Sequence, residues 1–134
     1  MSSIHKWVKS DKEKDFEKKF NDLKGINDEK SLKQIVLKDS DYRIRLEALK
    51  RIENEIFLED VVNNDSNLNV RLQAVSQIEN PEVLADIAKG SSNKYLRIEA
   101  IKKISNIDVL TDISKKDSNR EVRQVASERL NQVR

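Results

Sequence analysis

The amino-acid sequence predicts an all-α protein built by repetition of one helix pair, and two observations lead to this prediction. The chain holds only two glycines and one proline, and 37% of its residues are charged. Few helix breakers and many Lys, Glu, Leu and Ile residues favour helices over strands. The sequence also aligns with itself at a spacing of 26 residues from Lys38 onward. Such a period indicates helix pairs that are stable only when they stack on their neighbours.

Four kinds of residue recur at this spacing. An arginine, an alanine, a serine and a leucine each keep one position through successive copies of the repeat. The positions are Arg45, Arg71, Arg97 and Arg123; Ala48, Ala74, Ala100 and Ala126; Ser40, Ser66, Ser92 and Ser118; and Leu32, Leu58, Leu84 and Leu110. Because one spacing is kept through so many positions, the repetition is the strongest structural signal in the sequence.

The N-terminal region is predicted to carry a capping helix. In the register of the repeats, residues 15–26 place four apolar side chains in apolar columns, namely Phe16, Phe20, Leu23 and Ile26. Lys18 and Asp22 occupy two positions that are apolar in the repeats, so this helix is expected to bury one flank and expose the other. Residues 1–11 are left open, because Ile4, Trp7 and Val8 could dock on the helix or fray; Trp7 is favoured as a hydrophobic anchor.

The first helix of each repeat is predicted to be short, because its apolar positions span few residues. The ranges are about 29–37, 55–63, 81–89 and 107–115. Asn54, Asn80 and Asn106 stand just before three of these helices, where asparagine is a strong N-cap. Pro81 follows Asn80 and suits the first helical position.

The second helix is predicted to be longer, over about 41–53, 67–79, 93–105 and 119–132. The serine column is predicted to supply its N-cap, and Ser118 with Glu121 matches a capping box. In the last of these helices Gln124 and Ser127 replace apolar residues, as the terminal member of a stack requires. We therefore expect one self-standing domain over residues 1–134, with 1–25 as extension and capping helix and 26–134 as repeats.

Arg45 lies near the centre of an apolar arc when residues 42–52 are wound as a helix. A buried charge persists when it is paired and hydrogen-bonded, and arginine offers a five-donor fork to carboxylates and carbonyls. We therefore predict a structural ladder in which the arginine column pairs with acids within or between repeats. Its members are Asp39, Arg45, Asp65, Arg71, Arg97, Asp117 and Arg123. The alternative, an arginine row that binds phosphates, is disfavoured by the apolar arc.

The ladder positions share an Asp-x4-aliphatic-Arg pattern. It occurs at Asp39…Ile44-Arg45, Asp65…Val70-Arg71 and Asp117…Val122-Arg123, and Ser91…Leu96-Arg97 departs from it at the acid. The pattern resembles HEAT repeats, in particular the short HEAT-like repeats of the phycobilisome (PBS) lyase type, over residues 26–134. The resemblance implies a right-handed α-α superhelix, or solenoid, with N- and C-terminal capping helices and an Asp/Arg ladder between repeats. The unit is shorter than the usual span of about 40–47 residues.

Catalytic signals are almost absent from the sequence. There is one histidine, His5, and there is no cysteine, so neither a histidine-based triad nor a thiolate metal site is predicted. The two glycines are isolated and form no phosphate loop. The His-Glu dipeptides of HEAT-like iron hydroxylases and the basic, aromatic-lined groove of HEAT-like DNA glycosylases are not evident. We therefore expect a protein that is not an enzyme, with no cofactor and no metal.

Charge and hydropathy bound the partners. The net charge is +2, and residues 1–24 supply all of it with seven lysines against five acids. Nucleic-acid binders usually carry a larger basic excess. No apolar run approaches the length of about 18 residues that a membrane span needs, and the N-terminal residues lack the apolar core of a signal peptide. A cytoplasmic monomer is the expectation.

The remaining candidate surface is the outer ridge of the second helices, which lines the concave face in solenoids of the HEAT type. Its predicted partner-binding residues are Arg43, Glu47, Lys50, Arg51, Gln73, Gln77, Tyr95, Glu99, Lys102 and Lys103. We predict a scaffold or adaptor that binds a protein or peptide there. Three alternatives stay open: a nucleic-acid-binding module, an accessory or chaperone subunit of a tetrapyrrole lyase, and a solvated face with no partner.

Overall fold

A computed structural model describes residues 8–134, and every regular element in that range is an α-helix. The helices are α1 (Asp11–Leu23), α2 (Glu29–Lys38), α3 (Tyr42–Leu49), α4 (Glu55–Asn64), α5 (Leu68–Gln77), α6 (Pro81–Gly90), α7 (Lys94–Ile101), α8 (Ile107–Lys116) and α9 (Arg120–Val133). The all-α prediction is confirmed. Ile4, His5 and Trp7 lie outside the described residues.

The first helices of the repeats form where the sequence predicts them. α2, α4, α6 and α8 each span 10 residues and begin at the expected positions. The side chains of Asn54, Asn80 and Asn106 accept hydrogen bonds from backbone N–H groups in the first turn. Asp28 caps α2 in the same way, by accepting from the N–H of Ser31. The asparagine caps are therefore confirmed.

The second helices differ from the prediction in length. α3 and α7 span 8 residues and α5 spans 10, so they are no longer than the first helices, and only α9, at 14 residues, is long. After α3 and α7 the chain continues with hydrogen bonds that reach back three residues, as in Ile52 N–H to Leu49 and Ile104 N–H to Ile101. The apolar period continues through Ile52 and Ile104, which are buried although they lie beyond the helix.

The serine column does not cap the second helices. The N-cap is the next residue along the chain, and Asp41, Asn67, Asn93 and Asn119 each accept from an N–H of the first turn. The predicted capping box at Ser118 is likewise wrong, because the N–H of Glu121 bonds to Asn119. Each connection offers consecutive residues that can cap, and the extended backbone after the first helix brings the later one into position.

The chain divides into two compact units, residues 1–52 and 53–134. In unit 1, α3 contacts both α1 and α2. The interior of this unit consists of Leu23, Leu32, Val36, Ile44, Ala48, Leu49 and Ile52. Phe16 and Phe20 are partly buried, whereas Lys18 and Asp22 are exposed. The expected two-sided character of the N-terminal helix is therefore present in unit 1.

Unit 2 consists of three successive helix pairs, α4/α5, α6/α7 and α8/α9. The second helices contact one another in chain order, α5 with α7 and α7 with α9, and α6 contacts α8. Side chains with almost no exposure fill the spaces between them, including Leu58, Ile78, Leu96, Ile101 and Leu110. The alanine column of α5, α7 and α9 has no exposed surface. Small residues at these positions let neighbouring helices approach closely.

The surface of the described residues is polar at the last helix of the stack. Gln124 and Ser127 on α9 are exposed, as predicted for the last helix of the stack. Between residues 8 and 134, no helix is both long enough and apolar enough to cross a membrane.

Candidate interaction surface

Arg97 on α7 joins two repeats of unit 2 through one guanidinium group. Its Nε lies 3.0 Å from Oδ2 of Asp117 and its Nη2 lies 3.3 Å from Oδ1 of the same residue. Nη1 donates to the backbone carbonyl of Ser91 at 2.8 Å. The side chains of both charged partners are nearly buried, at 11% and 7% exposure. This geometry is the two-bond pairing that favours arginine over lysine.

The other arginines of the column also bind inside the protein. Arg45 donates to the carbonyl of Asp39 at 2.9 Å, and Arg123 donates to the carbonyl of Asp117 at 2.7 Å. Arg71 instead donates through Nε to the carbonyl of Val62 at 2.6 Å. The arginines thus hold carbonyl groups at the C-terminal ends of the first helices, where the helix dipole attracts a cation.

The predicted acids have a local role as well. Asp39, Asp65 and Asp117 each accept the N–H two residues further on at 2.9 Å, which turns the chain from the first helix into the second. Ser91 does the same through its hydroxyl, at 3.4 Å. The acid column therefore both shapes the turn and, at Asp117, neutralises an arginine.

Lys19 occupies the arginine column one period before Arg45, and the sequence prediction omitted it. Its Nζ lies 3.5 Å from the carboxylate of Asp39, the same separation of 20 residues as in the pair Arg97–Asp117. The charge of Asp39 raises the pKa of Lys19 above its ordinary value. The signal that could have revealed it is the position itself, 26 residues upstream of Arg45.

In unit 1, the predicted ridge residues make contacts within the unit. Arg43 donates to Asp41 through Nε at 3.1 Å and Nη2 at 2.8 Å, and its guanidinium lies 3.9 Å from the ring centre of Phe16. Lys50 pairs with Glu47 at 3.0 Å on the exposed surface. Arg43 is therefore held by neighbours on both sides.

Arg51, also in the predicted ridge, reaches back across one period. It donates to the carbonyl groups of Leu23 and Ile26 and to the side chain of Asn27. Leu23 is the last residue of α1 and Ile26 lies just beyond it, so the guanidinium caps that helix. The contact ties the turn after α3 to the end of α1 independently of the apolar core.

The ridge in unit 2 comprises Gln73, Gln77, Tyr95, Glu99, Lys102 and Lys103, carried by α5, α7 and the turn after α7. Gln73 donates to Gln77 at 2.7 Å, and Lys102 lies 3.7 Å from Glu99. Tyr95 is 49% exposed, and the Nζ of Lys94 lies 5.1 Å from its ring centre. Tyr95 is the exposed aromatic side chain of this ridge.

Lys103 repeats the contact of Arg51. Its Nζ donates to the carbonyls of Ser76 and Ile78, each at 2.6 Å, and lies 3.4 Å from Glu79. One period later, Nε of Arg129 donates to the carbonyl of Ile104 at 2.9 Å. These cations form a second set of links between repeats that sequence reasoning did not identify.

The described part of the chain contains no candidate metal site. Residues 8–134 contain no cluster of three or more His, Cys, Asp or Glu side chains with the spacing of a metal site.

Comparison with family models, with curated proteins and with solved structures finds no match for this chain.

Proposed function

We propose that this chain is a non-enzymatic interaction module that binds a protein or peptide through the unit 2 ridge. The observation that carries the proposal is Tyr95, a half-exposed aromatic side chain on a helix flanked by α5 and α9. Tyrosine is among the residues that dominate binding energy at interfaces, because a large ring is buried at little entropic cost.

The surroundings of Tyr95 favour a fixed docking position. Asn93 accepts from the N–H of Tyr95 at 2.8 Å and so fixes the start of α7. Lys94 donates to Glu121 on α9 at 3.0 Å, and this hydrogen bond raises the pKa of Lys94. The backbone that carries the ring is therefore ordered before a partner covers it, which lowers the entropic cost of binding.

Charges of both signs border the ring. The Nζ of Lys94 lies 5.1 Å from the ring centre and 3.0 Å from Oε1 of Glu121, and further along the ridge Lys102 lies 3.7 Å from Glu99. This mixture suits a polar protein surface better than a nucleic-acid backbone, which needs a row of cations.

The proposed architecture is the right-handed solenoid of short HEAT-like repeats that the sequence suggests. The pairs of 10-residue first helices and contacting second helices in unit 2 support it, as does the repetition of the arginine contacts every 26 residues. In such a solenoid the second helices present their outer ridge to a partner.

The test is affinity capture from the native cell lysate with three forms of the full chain: wild type, Tyr95→Ala and Tyr42→Ala. Tyr42 is a matched control, since it is 38% exposed and lies in unit 1. We expect a partner enriched by wild type and Tyr42→Ala and reduced at least about tenfold by Tyr95→Ala, which corresponds to about 1.4 kcal/mol. The captured partner is then purified and its affinity for each form measured directly.

Circular dichroism establishes that all three forms are folded. Equal capture by the three forms, or no specific capture at native abundance, would contradict the proposal. Retention of nucleic acid that falls steeply with added salt would instead support the nucleic-acid alternative.

A further inference from the structure

A cleft of about 380 Å³ opens between α6 and α8 in unit 2. Its wall is mainly apolar and includes Pro81, Leu84, Ala85, Ile104 and Val109. Ser105 and Asn106 border it where the chain enters α8. The cleft lies beside the first helices and shares only Lys103 with the unit 2 ridge.

The preceding helix pair shows what the equivalent position holds. Glu55, the first residue of α4, accepts from the N–H of Asn80 at 2.9 Å and from the N–H of Glu79 at 3.2 Å. These donors lie where the chain enters α6. A glutamate side chain of the protein itself therefore occupies this position between α4 and α6.

At the equivalent positions of the next repeat, 26 residues further along the chain, the site is open. Pro81 stands in place of Glu55, while Ser105 and Asn106 stand in place of the two donors. Proline has no carboxylate, and no group among residues 8–134 accepts from the N–H of Ser105 or of Asn106. The cleft thus presents the same pair of donors without the acceptor that fills the preceding repeat.

Charged side chains stand on two sides of the cleft. On one side a lysine and a glutamate compensate each other, and on the other side a carboxylate is exposed to water. Lys103 lies 3.4 Å from Glu79, in a place where the preceding repeat has the neutral Gln77. Glu82 is exposed at the rim. Repulsion from an exposed carboxylate is weakened by water and salt, whereas two fixed N–H donors act at hydrogen-bond distance.

We infer that this cleft binds a glutamate side chain of a partner protein. The carboxylate accepts from the N–H groups of Ser105 and Asn106, as Glu55 does from their counterparts, and the aliphatic stem packs on Pro81, Ala85 and Val109. The inference stands on the comparison of two repeats and does not require the ridge around Tyr95.

The experiment is an NMR titration of the ¹⁵N-labelled full chain with the peptide acetyl-Leu-Glu-Leu-amide and its matched Gln peptide. We expect saturable downfield shifts of the Ser105 and Asn106 amide protons with the Glu peptide, and at least about fivefold weaker binding of the Gln peptide. In Pro81→Glu the two amides should already be shifted downfield before titration, and peptide affinity should fall at least tenfold.

Two further variants separate the possible outcomes. Tyr95→Ala should titrate like wild type, so failure of the ridge proposal leaves this result unchanged. Ala85→Phe, which fills the cleft from another side, should also abolish binding and serves if Pro81→Glu does not fold. Equal shifts with the two peptides, no saturable shift, or unchanged binding in a folded cleft-filling variant would overturn the inference.

Discussion

The arginine column shows how a neighbouring residue changes the role of one side chain. Arg97 binds both a carboxylate and a carbonyl, because Asp117 lies 20 residues further on. Arg71 has Ser91 at the corresponding distance and donates to the carbonyl of Val62. The two arginines occupy the same column of the repeat, yet only Arg97 balances a nearly buried negative charge.

This difference predicts unequal losses of stability. Arg97→Ala should lower the free energy of unfolding by about 3–5 kcal/mol, because Asp117 keeps a buried charge without its partner. Arg71→Ala should cost about 1–3 kcal/mol, since only an uncharged carbonyl loses a donor. Urea unfolding at pH 7 measures both values. Equal losses would show that the ion pair adds nothing to the ladder.

Asp41 gives the stability a specific dependence on pH. Hydrogen bonding from Arg43 holds the pKa of Asp41 below its ordinary value. The ionised carboxylate therefore stabilises the fold above the unfolded pKa of about 4, and this contribution is lost as the pH falls through the lower folded pKa. Asparagine fills the same cap position in the other repeats, so Asp41→Asn retains the cap.

We expect Asp41→Asn to be less stable than wild type at pH 7 and equally stable near pH 2. Urea unfolding at several pH values measures the difference between the two proteins. Arg43→Gln should also reduce the loss of stability between pH 7 and pH 2, because it removes the cation that pairs with Asp41. A constant difference from pH 7 to pH 2 would mean that the effect does not arise from the charge of Asp41.

At the scale of helices, the connections decide where each element begins. Three of the first helices follow a capping asparagine and α2 follows Asp28, and the sequence locates all four helices to within one residue. The second helices follow runs such as Asp39-Ser40-Asp41, in which each residue can cap a helix. Propensity alone does not choose among them; the hydrogen bond that the N–H of Asp41 donates to Oδ1 of Asp39 does.

The position of the cap leads to a prediction for α7. Asn93→Ala should lower the free energy of unfolding by about 1 kcal/mol, because the N–H groups of Tyr95 and Leu96 lose their acceptor. Ser92→Ala, one residue earlier and exposed, should change it by less than about 0.5 kcal/mol. Thermal unfolding followed by circular dichroism compares them, and the reverse order would restore serine as the cap.

At the scale of the whole molecule, one repeat differs from the others because it interrupts the acid column. Three of its four members are aspartates, and Ser91 is the exception. Ser91 makes the local turn through a longer hydrogen bond than the aspartates do, at 3.4 Å against 2.9 Å. A regular column would therefore improve both the turn and the ladder.

Ser91→Asp should stabilise the protein by about 1 kcal/mol. Its new carboxylate would stand 20 residues after Arg71, the separation that joins Arg97 to Asp117. The same substitution in an Arg71→Ala background should give a smaller gain, and a double-mutant cycle from urea unfolding measures the coupling. Equal gains in both backgrounds would assign the effect to the turn alone.

Much of the helical framework could be predicted, because the period of 26 residues and the asparagine caps depend on side-chain identities that the sequence shows directly. The ends of the second helices could not, since Ile52 and Ile104 continue the apolar period after the backbone has left the helix. The links made by Arg51 and Lys103 were also missed, because main-chain atoms accept their hydrogen bonds. A charged residue on an outer face therefore looked available for binding.

Those main-chain acceptors have a consequence for how the protein can diverge. Lys103 and Arg129 bind carbonyl groups of Ser76, Ile78 and Ile104, and every amino acid supplies a carbonyl. Substitution at an acceptor position therefore preserves the link between the two repeats as long as the backbone path is kept. Each link needs one cationic side chain, and only one of the two repeats supplies it. Exposed positions such as Ser76 can then vary to suit a new partner while the attachment of that repeat to the next persists.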